Sequence, residues 1–152
     1  TATWPARDID GATAGKGVYI ALEIAVATTG AVTPTITLTY TNSAGVGSRT
    51  VTQLGATAAV NGAGVVYFFG LQGDDEGVRS VESVQLSAAY TAGTFSLVAF
   101  RPIISHSTAH LTPVAVQDAV TSGLPILYDG TVPCFWWHGA TRIAGELIYA
   151  FG

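Results

Sequence analysis

Hydrophobic and polar residues alternate with a period of two in several stretches of the first hundred positions. Residues 18–26 are the clearest case: Val18, Ile20, Leu22, Ile24 and Val26 share one face, and Tyr19, Ala21, Glu23 and Ala25 the other. That pattern predicts a half-buried strand. Residues 35–41 repeat it, with Ile36, Leu38 and Tyr40 on one side and Thr35, Thr37, Thr39 and Thr41 on the other. Threonine suits a strand's outer face because its branched Cβ fits the pleat without adding charge. Residues 42–48 are turn chemistry, with Gly45 and Gly47 free to take positive φ, and 49–54 should return as the second arm of a hairpin. Further strands are expected at 65–69, at 83–87 with Val84 and Leu86 inward, and at 94–101. Tyr67, Phe68, Phe69, Phe95 and Phe100 are expected in the core.

About six short strands joined by glycine-rich turns predict an all-β fold, a β-sandwich or a barrel, of which the β-sandwich is preferred. Residues 1–16 show no useful periodicity and read as an extended N-terminal arm ahead of a single domain at 17–152. Trp4 is too apolar to leave in water and should dock on this chain or on a neighbour. The last third reads differently. Thr112 and Pro113 can open a short helix over 112–121, as N-cap and first helical residue. A closing strand is expected at 143–151.

Composition narrows the function. Only 11% of residues are charged, against roughly a quarter in an average soluble domain. The formal net charge of −4 argues against a nucleic-acid partner, which calls for a basic stripe to neutralise phosphates. No apolar run reaches the ~18 residues of a membrane-spanning helix, because Glu23 and Glu146 interrupt the longest ones. Cys134 is the one cysteine, so no disulfide framework forms within the chain. Residues 102–152 hold four charged side chains, Asp118, Asp129, Arg142 and Glu146, and the pair Trp136-Trp137. Adjacent residues on a strand point to opposite faces, so one tryptophan can be core while the other meets a neighbour. Trp4, Trp136 and Trp137 are therefore the candidate interface residues.

Candidate chemistry is sparse. His106 and His110, with Cys134 and His138, are residue types that zinc accepts, but neither pair has a zinc-finger spacing, and the plainer reading as loop and core residues is preferred. Asp74, Asp75 and Glu76 could offer oxygens to calcium; they are expected instead to solvate a turn. No Gly-x-Ser-x-Gly elbow occurs, and Glu23 and Glu146 read as outer-face residues. The expectation is a protein that is not an enzyme, with no cofactor, no metal site and no catalytic residues.

Four stretches carry a resemblance: WPARDIDGATAGKGV at 4–18, TLTYTNSAGVGSRT at 37–50, GVRSVESVQLSAAY at 77–90 and TFSLVAFRPI at 94–103. Together they resemble small structural proteins of tailed-bacteriophage virions. The resemblance implies a jelly-roll-like β module that decorates or cements the head, or serves as a head–tail or tail accessory. It implies a virion location, a homo-oligomer, and partners that are copies of itself and other virion proteins. A different class remains open beside it: a carbohydrate-binding β-sandwich module of a receptor-binding fibre, stacking a sugar on an exposed tryptophan.

Overall fold

The computed structural model describes residues 4–6, 8–53, 57–103, 127–128 and 130–134. The helix expected at 112–121, the closing strand at 143–151 and the Trp136-Trp137 pair lie outside the described residues. Within them the fold is all-β. Six strands run in chain order: β1 (Tyr19–Thr29), β2 (Ile36–Asn42), β3 (Arg49–Thr52), β4 (Val66–Phe68), β5 (Val78–Leu86) and β6 (Ala92–Phe100). They form two three-stranded sheets, ordered β4-β1-β6 and β3-β2-β5, and every pairing is antiparallel.

One core joins the sheets. The central strands supply most of it, with Ile20, Leu22 and Ile24 from β1 and Ile36, Leu38 and Tyr40 from β2. Tyr67, Phe69 and Val78 complete the buried cluster, and Trp4, Val51, Leu71, Val81, Val84 and Leu86 pack on its margin. This is a sandwich in which each central strand turns its period-two apolar face toward the other sheet. Gln53, just after β3, bridges to Phe69, just after β4, so the two sheets are tied along that side. Six described strands do not trace the eight-strand path that a jelly roll requires.

β2 follows its sequence pattern throughout, alternating buried and half-buried residues from Ile36 to Asn42. β1 follows it as far as Ile24. Two register shifts against β6 then each add one residue to β1, between Ile24 and Val26 and between Val26 and Thr29. A one-residue bulge exchanges the two faces, and a second exchanges them back. Val26, expected inward, is therefore 56% exposed, while Thr28 is buried. The hairpin between β2 and β3 also departs in detail. Gly45 takes a positive φ of 87°, but the second left-handed residue is Ser48, at φ 56°, and not Gly47.

β5 begins five residues earlier than the alternation at 83–87 predicts. Register shifts against β2 insert Glu82 and Arg79 as unpaired extras. Its core-side residues are consequently Val78, Val81, Val84 and Leu86, spaced three, three and two, which hides the strand from a period-two reading.

The aromatic residues divide between the faces. Tyr67 and Phe69 are core, as expected. Phe68 and Phe100 are half-buried on the outer face, where each sits opposite β1 in register with Ala21 and Tyr19. Their rings meet edge-on at 5.7 Å, and Tyr19 lies 6.0 Å from Phe100. Phe95 shares the core-side face with Ile24 but is 38% exposed, so the expectation of a buried Phe95 is corrected. It stands on an edge strand, beyond the cover of the opposite sheet.

Candidate functional site

The described part of 1–16 is looped and tied to the body at the start of β5. The Trp4 indole N–H donates to the Val78 carbonyl at 2.7 Å, and its ring packs on the core. Asp8 organises the loop. Its carboxylate, 2% exposed, accepts the backbone N–H groups of Asp10, Ala12 and Gly15 at 3.0, 2.6 and 3.1 Å. Burial pushes this carboxyl up, but the N–H donors, Ala12 foremost, outweigh burial and hold it below its ordinary value. The loop then meets the acidic turn. Gly17 N donates to the Glu76 carbonyl at 2.7 Å, and Lys16 bridges Gly77 in a short ladder. The approach is so close that a Cβ on Gly15 would run into the Val78 carbonyl, and one on Gly77 into the Gly15 carbonyl. Only glycine fits at these two positions.

The acidic turn is not uniformly solvated. Asp74 and Glu76 are exposed, and Glu76 makes only a loose 3.8 Å ion pair with Lys16, which also faces Asp10 at 3.4 Å. Asp75 turns inward, with its side chain 6% exposed. It accepts from Tyr40 Oη at 2.7 Å, Asn42 Nδ2 at 2.6 Å and Arg49 Nε at 2.9 Å. Burial pushes its carboxyl up, and the hydrogen bonds from Arg49, Asn42 and Tyr40 more than reverse that, so its pKa lies below the usual value. Asp75 thus pins the turn to β2 and to the foot of β3. The same burial pushes the Tyr40 hydroxyl up, with the Asp75 charge adding to it, so this phenol stays a donor.

A second polar cluster closes the opposite end of β1. Asn61 donates from its backbone N and from Nδ2 to Thr28 Oγ1, at 3.1 and 2.8 Å, and accepts from the Tyr67 hydroxyl. Every buried polar side-chain atom among the described residues has a hydrogen-bond partner. Both clusters are therefore satisfied structural networks.

The metal-ligand candidates do not come together among the described residues. Cys134 is exposed there, His106, His110 and His138 lie outside them, and no group of three or more His, Cys, Asp or Glu with metal-binding geometry occurs among the described residues. Glu23 is half-buried on the outer face, opposite Val66 and Ser96; Glu146 lies outside. Of the three interface candidates, Trp4 is docked on its own chain, and Trp136 and Trp137 fall outside the described residues.

The surface that stands out is one not singled out from the sequence. β6 pairs with β1 alone among the described strands. Its core-side residues Phe95 and Leu97 are each 38% exposed. Charge alone does not single it out in the sequence, since uncharged runs at 24–48 and 50–73 are longer than the one at 83–100. Known protein families, curated proteins and solved structures offer no match to the chain.

Proposed function

We propose that the chain is a structural subunit of a tailed-phage virion, which packs against copies of itself and neighbouring virion proteins and stabilises the particle. The observation that supports this reading most directly is the combination of a two-sheet body with an uncharged strand, β6, that pairs on one side only among the described strands and leaves Phe95 and Leu97 partly exposed. A domain that works alone in water is poorly served by such a strand, whereas a subunit that spends its life packed is not. Low overall charge and the resemblance of residues 4–103 point the same way. The role is mechanical: the fold supplies a fixed surface, and the reading assigns no catalytic residue.

The test is to locate the protein in purified particles of the phage that encodes it, by mass spectrometry for copy number and electron microscopy for position. Several copies per particle in a fixed arrangement are expected. Particles that lack the chain would overturn the proposal, and binding of defined glycans by the isolated protein would favour the carbohydrate-binding alternative.

A further inference from the structure

The loop at 8–17 is folded mainly on itself. Asp8 N donates to the Ala12 carbonyl at 3.3 Å, Gly11 N to the Asp8 carbonyl at 3.0 Å and Ile9 N to the Lys16 carbonyl at 3.0 Å. The three N–H groups on the Asp8 carboxylate belong to the same loop. Asp8 is its hub, and none of these six bonds reaches a sheet.

Contact with the body is sparse. Among the described residues, Gly17 N donates to the Glu76 carbonyl, Lys16 bridges Gly77 and pairs loosely with Glu76, Gly15 abuts Val78, and a Cβ on Gly11 would touch the Tyr128 ring. Trp4, half-buried, adds an apolar anchor through its ring and its bond to Val78. Of residues 8–14, Asp8 alone is buried; Ile9, Asp10, Ala12 and Thr13 are exposed. A segment that buries so little apolar surface opens at a lower free energy than the core strands. The joint to β1 suits such opening. Gly15 and Gly17 take φ of 79° and 72°, and glycine has the widest backbone freedom to leave those values.

We infer that residues 8–17, with Trp4 ahead of them, form a releasable strap, which comes off the 76–78 backbone and unravels while both sheets stay folded, and which the Asp8 carboxylate holds in its docked shape. For a subunit that packs against neighbours, the strap is one element free to change place over a fixed body. The inference itself does not rest on that reading, since strap release is measured on the isolated chain and a virion role on particles.

The chain provides its own reporter. Lys16 is its one lysine, so a lysine-specific protease cuts at a single place, beside the joint. Proteases bind their substrates extended, so that bond is cut once the strap has left the body. The full chain is digested across a urea series kept below the unfolding midpoint. Cleavage is expected with less than about half the urea dependence of global unfolding, because strap release exposes little surface. The cut protein should keep its β circular dichroism spectrum and melt cooperatively. Asp8→Asn, which turns one accepting oxygen of the hub into a donor, should raise the cleavage rate at least ~10-fold. Trp4→Phe keeps a ring and loses the bond to Val78, and should raise it ~3-fold or more. Asp10→Asn removes an exposed ion pair with Lys16 and should stay within ~2-fold.

If Asp8→Asn does not fold, hydrogen exchange of the native chain decides. The Ala12, Gly15 and Gly17 amides should share one opening free energy, well below that of Leu22 and Leu38. Exchange of all five at the global value would overturn the inference. So would cleavage with the full urea dependence of unfolding, or an Asp8→Asn rate no higher than that of Asp10→Asn. Cleavage as fast as that of a free peptide spanning 8–24 would overturn it from the other side, since nothing would then latch the strap.

Discussion

Asp75 shows how one residue of a like-charged run can do different work from its neighbours. Replacing it by alanine leaves the Tyr40 hydroxyl and the Asn42 amide without their shared acceptor in a nearly buried site. A buried donor left unpaired costs about 1–3 kcal/mol, so Asp75→Ala should lose about that much stability in urea denaturation. Asp74→Asn or Glu76→Gln should stay within ~0.5 kcal/mol, because both side chains are exposed. Equal effects of all three would contradict the geometry. The sequence could not separate them: no periodicity operates in a turn, and the three acids are chemically alike. Gly15 is similar. The sequence GATAGKG marks a loop but not that Gly15 abuts the Val78 carbonyl at a φ of 79°. The left-handed backbone alone costs a non-glycine residue ~1–3 kcal/mol, so Gly15→Ala should lower the melting temperature more than Gly62→Ala, where a Cβ meets nothing within 4 Å.

At the level of elements, alternation located β1 and β2 to within a few residues, because their side chains sort between a core and a surface; β3 was expected as the return arm of the hairpin, β4 as a short apolar run and β6 as a strand at 94–101. It erred where the ladder gains residues. Val26 and Thr28 have the same parity in sequence, yet the bulges turn Val26 out and bury Thr28. Val26→Thr should therefore change stability by less than ~0.5 kcal/mol. Thr28→Val, nearly the same change in reverse, removes an acceptor that both Asn61 donors share, although the Thr28 and Ala58 carbonyls remain to them, and should cost about 0.5–1.5 kcal/mol. A chain without bulges would give the opposite order. The same irregularity explains β5, whose core-side spacing of three, three and two matches no regular pattern. The place of β6 at the margin of its sheet among the described strands was legible in another sense. Its missing charges are visible in the sequence, but their significance depends on β6 standing at that margin, which only the pairing order reveals.

For the whole molecule, the residues that hold the N-terminal loop, the acidic turn and the two sheets together converge on the start of β5. Trp4 reaches the Val78 carbonyl, Val78 N donates to Val18, Asp8 holds Gly15 against Val78, and Asp75 ties the turn to β2 and β3. Two nearly buried carboxylates therefore sit on either side of one junction, and both have pKa values below those of an unfolded chain. A carboxyl with a depressed folded pKa binds its proton less readily when folded than when unfolded. It contributes stability that is complete above the unfolded value, ~3.9, and lost as pH falls through the folded one. These two groups should leave stability level between about pH 5 and 8, then remove it progressively below about pH 4. The expected outcome is a urea midpoint that falls steeply between about pH 4 and 2 in the native chain. Asp8→Asn and Asp75→Asn should each be less stable at pH 7 and show a shallower fall, because the group that would have taken up the proton is gone. If either variant keeps the native slope, that carboxylate does not carry the acid response, and the junction is held by its backbone contacts and by Trp4.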